Sequence, residues 1–220
     1  MKRTILAVLV SILAVASVVE ADFSTSTPQA LTGPGTTGVS LSYKGQLTGS
    51  LAMGAAEENS GQLFFEKSSV VTGSDLALTL GGTVPVGTSV RSYILHFDPV
   101  GRDSVPVYEL HEELTFDERV LGVIFDTASN PGQLAATDST LGLGAGFYES
   151  SSTHRKFEEG QDKWNDIAIL GNSVTFNLFT NSSMDEVRIV TTPVPGAVLL
   201  GMLGLSAAGV RLRRFGRSAA

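Results

Sequence analysis

Between residues 39 and 192, apolar side chains recur at every second position in short runs, and this alternation constrains the fold more than any other feature. Leu76, Leu78 and Leu80 alternate with Ala77 and Thr79; Val174, Phe176 and Leu178 alternate with Thr175 and Asn177; Val187 and Ile189 flank Arg188. Successive side chains of a strand point to opposite faces, so a period of two gathers each apolar set on one face of a sheet. Residues 93–97 and 120–125 are apolar nearly throughout, which suits central strands covered on both faces. No stretch between the two termini carries a 3.6-residue stripe, which argues against an α/β fold with a parallel sheet. The pattern predicts strands at 39–52, 62–71, 75–80, 89–97, 107–116, 120–126, 163–170, 174–180 and 186–191. Gly171-Asn172 marks the clearest hairpin, because both residue types tolerate the positive φ of a tight turn. The expected fold class is all-β: an antiparallel, jelly-roll-like β-sandwich over residues 39–192, flanked by an N-terminal signal helix and a C-terminal transmembrane helix. Residues 22–38 are rich in Ser, Thr, Pro and Gly and read as an extended leader.

Composition narrows the chemistry. The 220 residues include no cysteine, which excludes disulfides, thiolate metal sites and cysteine nucleophiles. Charge is unevenly placed: six of the 15 basic residues lie at the termini, so residues 22–192 hold 9 basic and 21 acidic side chains, a net charge of −12. Binding to nucleic acid needs clustered Lys and Arg, and this acidic middle argues against it.

Residues 1–21 start with Lys2 and Arg3, continue through an uncharged apolar run, and end on Val19-Glu20-Ala21. A basic start, an apolar stretch and small or β-branched residues before the cut define a secretory signal peptide, with cleavage expected between Ala21 and Asp22. The bland alternative is an uncleaved anchor. Export implies the Sec translocon and signal peptidase as partners. At the other end, residues 193–220 hold Pro193-Val194-Pro195-Gly196, then an uncharged apolar run, then Arg211, Arg213 and Arg214. The 17 uncharged residues 194–210 reach roughly 25 Å as a helix, near the lower limit for crossing a bilayer core of about 30 Å. By the positive-inside rule the arginines stay cytoplasmic, leaving everything before Pro193 on the outer side.

This order of Pro-x-Pro, short apolar span and arginine cluster resembles the PEP-CTERM sorting signal of bacterial proteins handled by exosortase. Val194 stands where the usual glutamate would be, giving the Pro-Val-Pro-Gly variant. The resemblance covers about a tenth of the chain. It implies transient insertion into the membrane, cleavage near residues 193–195 by an exosortase-type enzyme, and delivery to the envelope, the outer surface or extracellular polymer. A permanent tail anchor is the simpler alternative. Residues 92–101, 114–117, 120–125, 137–142, 174–176 and 185–190 look like the β-sandwich domains often paired with this signal, which implies a non-catalytic surface or matrix domain.

Each candidate site residue also has a plainer role. His96, in an apolar strand beside Asp98, reads more simply as a histidine satisfied by a neighbouring carboxylate than as a general base. Glu109, His111 and Glu113 share one strand face, which suits either a divalent ion or an acidic solvent face. His154 reads as solvated. Oxygen ligands for calcium are plentiful at Asp98, Asp103, Asp126, Asp138 and Asp185, and a structural calcium near Asp98 or Asp138 is the one candidate cofactor. No Gly-x-Ser-x-Gly elbow occurs, and no carboxylate pair is singled out for glycan hydrolysis. Trp164, Phe147, Tyr148 and Tyr108 offer an aromatic platform for sugars, with Trp164 reading more simply as a core anchor. The 130–161 loop is long and charged, either functional or mobile. The expected function is a non-catalytic surface or extracellular-matrix protein, not an enzyme, with extracellular polysaccharide as a partner. A carbohydrate-binding module is the alternative, and a glycan-degrading enzyme the third reading.

Overall fold

The computed structural model describes residues 23–25, 36–100, 107–127, 129–150, 155, 166–180 and 184–193. The expected signal helix, its cleavage site and the apolar and basic parts of the tail (Ala21, Asp22, Val194, Pro195, Gly196, Arg211, Arg213, Arg214) lie outside these residues. Pro193 is described. No helix among the described residues is long and apolar enough to cross a membrane.

The protein is all-β, with two five-stranded sheets packed on a shared core. In the first sheet β8 (Val107–Phe116) pairs with β11 (Ser173–Thr180), and β11 with β10 (Asp166–Leu170). β1 (Phe23–Thr25) and β2 (Thr36–Val39) also pair with β8, at its two ends. The second sheet runs β3 (Leu41–Gln46), β4 (Gly61–Val70), β7 (Ser89–Phe97), β12 (Asp185–Thr191), β9 (Val120–Ile124). A small ribbon pairs β5 (Leu76–Ala77) with β6 (Thr83–Val84). The described parts of the expected leader, residues 23–25 and 36–38, are thus strand segments paired with β8. The sheets are mixed, because β2 runs parallel to β8 and β3 parallel to β4, which corrects the expectation of a purely antiparallel arrangement.

Alternation sets the faces. Leu63, Tyr93, Leu95, Phe97, Val187 and Ile189 of the second sheet meet Leu110, Leu114, Phe116, Val174, Phe176 and Leu178 of the first, all buried. The hairpin at Gly171-Asn172 forms with Leu170 opposite Ser173 and a φ of 66° at Gly171, and Asn172 Nδ2 donates to the Phe116 carbonyl at 2.6 Å.

The outer face of the second sheet is buried as well. Val90, Ile94, Ile124 and Val190 on that face pack against Leu134, Leu141 and Tyr148 from residues 127–150. This cap contains a one-turn helix, α1 (Gln133–Thr137), and a 3₁₀ turn at Ala145–Phe147, neither legible from strand periodicity. Backbone and side chains tie it down: Leu51 N–H donates to the Phe147 carbonyl at 2.7 Å, and Ser69 Oγ to the Thr140 carbonyl at 2.8 Å. The central strands are therefore covered on both sides, as their apolar sequences require.

Candidate functional site: a charge network between sheet and cap

Register places three polar side chains of the second sheet side by side under the cap. Gln62, His96 and Glu186 share one row across β4, β7 and β12, and Arg188 stands in the next row among Phe64, Ile94 and Ile124. A bulge between Phe65 and Lys67 moves the strand pairing, and Glu66 lies buried on the same side as Arg188. The cap contributes Asp138 at the C-terminal end of α1, and residue 155 contributes a guanidinium that is 1% exposed.

Every N–H of the Arg188 guanidinium is used. Nε and one Nη2 hydrogen reach the two oxygens of Glu66, each at 2.8 Å; the other Nη2 hydrogen reaches Asp138 Oδ1 at 2.9 Å; Nη1 donates to the Leu134 carbonyl at 3.1 Å and to Thr137 Oγ1 at 2.6 Å. Arg155 grips Asp138 with both Nη atoms, at 2.7 and 3.1 Å, and donates Nε to Glu186. Glu186 in turn meets His96 Nδ1 at 3.1 Å. The Tyr148 hydroxyl donates to Glu66 and accepts the Leu143 N–H at 3.0 Å, while its ring lies 4.9 Å from the Arg155 guanidinium and 5.4 Å from that of Arg188. Ser92 Oγ completes Glu66.

Burial opposes every charge here, and the pairing decides the outcome. Desolvation works against the charged form of Glu186, yet Arg155 and the His96 hydrogen bond pull its proton affinity below the ordinary glutamate value. Desolvation likewise works against Arg188, and Glu66 and Asp138 more than offset it, so its proton is held more tightly than usual. The Tyr148 phenol is pushed up by burial and by the Glu66 charge, which keeps it a donor. Chemically the network is a rigid clamp: each carboxylate is spent on a guanidinium or hydroxyl donor, and the donors are fixed by planar, bidentate geometry.

The sequence candidates scatter. His96 is fully buried and its carboxylate partner is Glu186 on the neighbouring strand, not Asp98; among the described residues Nε2 has no partner. Asp98 is buried and accepts the Gly54 N–H at 2.9 Å through Oδ2, with Oδ1 unpartnered among the described residues. Asp138 is committed to two guanidiniums, so positive charge already fills the position a calcium would need. Asp126 Oδ1 accepts the Leu134 N–H at 2.9 Å, and Asp185 lies buried opposite Phe97. Glu109, His111 and Glu113 do share the outer face of β8, opposite Phe179, Asn177 and Thr175, with Glu109 buried and Glu113 exposed. Among the described residues no group of three His, Asp or Glu is placed to hold a metal ion. Tyr108 packs on the core between the sheets, while Phe147 and Tyr148 belong to the cap, so these three aromatics form no common platform. Asp103, His154 and Trp164 lie outside the described residues.

Glu66, Arg155 and Arg188 were missed as a set. The available signal was an apolar outer face on strands 89–97 and 120–125, which demands a covering layer and makes any charge on that face a buried one.

No family model, curated protein or solved structure matches this chain.

Proposed function

We propose that the chain is an exported, envelope-sorted surface or extracellular-matrix protein whose domain, a jelly-roll-like sandwich, has a structural or adhesive role without catalysis. The observation that carries this reading is the clamp itself: Arg188 spends all five donors on Glu66, Asp138, Leu134 and Thr137, a use of charge that stiffens a domain. The tail supplies the address: Pro193-Val194-Pro195-Gly196, an apolar run, and Arg211, Arg213 and Arg214. The jelly-roll reading is supported by the chain's crossings between sheets, since β7, β9 and β12 lie in one and β8, β10 and β11 in the other. Intact-mass analysis of protein from medium and membrane fractions tests the address. The expected product starts at Asp22 and ends near residues 193–195 once processed; an untrimmed chain in the cytosol would overturn the reading.

One observation favours carbohydrate binding as a second reading. A cleft of about 270 Å³ between the β5–β6 ribbon and α1 is lined by Val71, Leu76, Ala77 and Ala136 together with Thr72, Ser74, Asp75, Gln133, Thr137 and Thr140. Hydroxyl, amide and carboxylate groups in one concavity suit a saccharide. A glycan array with the exported domain separates the two: selective binding that Gln133→Ala abolishes supports the second, and a blank array supports the first.

A further inference from the structure

Among the described residues, the two sheets meet on one side only at the hairpin end, where the Val120 N–H donates to the Gly171 carbonyl at 3.2 Å. There β9, an edge of the second sheet, and β10, an edge of the first, leave a groove of about 420 Å³ lined by Leu80, Val120, Leu121, Ile167 and Ile169, with Arg119 at its lip. Ile167 and Ile169 alternate inward on β10 and pack on the core, yet both stay half-buried because the opposing sheet ends at β9. The last strand leaves the domain at this groove: the Thr192 N–H donates to the Arg119 carbonyl at 3.0 Å, and Arg119 lines the opening.

We propose that this groove seats the chain's own C-terminal apolar segment, residues 194–200. The sequence past Pro193 continues for 27 residues, and the first of them are Val-Pro-Gly-Ala-Val-Leu-Leu, uncharged and aliphatic. Pro193 and Pro195 lack the N–H needed to prolong a ladder, so the segment cannot extend β12 along β9 and offers side chains instead. Reach is ample, because an extended chain covers about 3.3 Å per residue and Val198 lies six residues past the Thr192 hydrogen bond. Lack of charge suits the aliphatic side chains Leu80, Val120, Leu121, Ile167 and Ile169 among the lining residues, and lack of acid leaves Arg119 without an ion-pair partner in the segment. Seated there, the segment is kept from water when it is not in a bilayer, and the groove and a membrane compete for the same residues. The docking rests on the groove and the exit point, and does not depend on whether an envelope enzyme later cuts the tail.

The chain has no cysteine, so a pair can be introduced cleanly. In full-length protein free of detergent, Ile169→Cys is combined with a cysteine walked along positions 194–200 and oxidised under dilute conditions. Intramolecular disulfide should form about tenfold faster than with a control cysteine at exposed Val70 on β4, since docking raises the effective concentration of the tail at the groove. Hydrogen exchange supplies a readout without substitutions: the amides of residues 119–121 and of β10 should exchange faster in a chain ended at Thr192 than in the full chain. Crosslinking no faster than the Val70 control at every tail position, or equal exchange in the two chains, would overturn the proposal and assign the cover to another segment. Protein trimmed by an envelope enzyme yet crosslinked before trimming would leave both readings standing, whereas untrimmed but crosslinked protein would sink only the sorting reading.

Discussion

At Arg188 the chain places a cation where its neighbours on the same strand face are Glu186 and Val190, with Ile94 and Ile124 alongside on the flanking strands. Such a position is tolerable only because Glu66 and Asp138 supply the opposite charge, and removing one partner strands the other in a dry interior. Arg188→Leu should therefore cost about 3–5 kcal/mol of unfolding free energy, the usual penalty for an orphaned buried charge. Urea unfolding followed by Tyr and Trp fluorescence measures it, and a loss under 1 kcal/mol would mean that the clamp is worth little. The double variant Arg188→Leu with Glu66→Met should recover part of the loss, because it removes the orphan as well. From sequence, Arg188 between Val187 and Ile189 reads as the solvent face of an alternating strand. Alternation reports which side chains share a face, not whether a third layer covers that face, so periodicity locates Arg188 and leaves its burial unread. Arg155 was less legible still: among polar loop residues, nothing local tells a buried guanidinium from a solvated one.

Several of the expected strands match the structure to within one residue at each end. Residues 89–97 and 107–116 are β7 and β8 as expected, and the 62–71 expectation differs from β4 by one residue at each end. The 75–80 segment fails in an instructive way. Leu76, Leu78 and Leu80 alternate like a strand, but only Leu76–Ala77 pairs in a ribbon; Leu78 turns into the cap core, and Leu80 forms an isolated bridge with Val123. The cause is a close approach of backbones. A Cβ on Gly122 would overlap the Leu80 carbonyl oxygen and stand 2.5 Å from Leu78 Cδ1, so Gly122 is what lets this crossing lie against β9. Gly122→Ala should push the segment off β9, breaking the paired bonds between the Leu80 and Val123 backbones at 3.2 and 2.9 Å. Overpacking of this kind costs about 1–3 kcal/mol, and because the overlapping atom is backbone the upper half of that range is expected. A melting temperature unchanged in Gly122→Ala would show that the segment can move aside without loss.

Across the whole molecule, two glutamates in different layers pull stability in opposite directions with pH. Glu186 sits in the clamp, and its folded pKa lies below the ordinary value of 4.5 because Arg155 and His96 outweigh desolvation. Its contribution is present above pH 4.5 and is lost as pH falls through the lowered folded value. Glu112 sits between the sheets: Oε1 accepts the Leu41 N–H at 3.3 Å, Oε2 has no partner among the described residues, and burial raises its pKa above 4.5. For a raised carboxyl the sign reverses, so its contribution is complete below pH 4.5 and is lost as pH climbs through the folded value. Together they predict that stability rises with pH on the acid side of 4.5 and falls again just above it, on top of the broad self-repulsion of a domain with net charge −12. Glu112→Gln separates the two, because glutamine keeps the acceptor for Leu41 and carries no proton equilibrium. In unfolding titrations from pH 3 to 8, that variant should lose the decline above pH 4.5 while keeping the acid-side slope that Glu186 sets. A decline above pH 4.5 that survives the substitution would place the responsible proton elsewhere and remove Glu112 from the account.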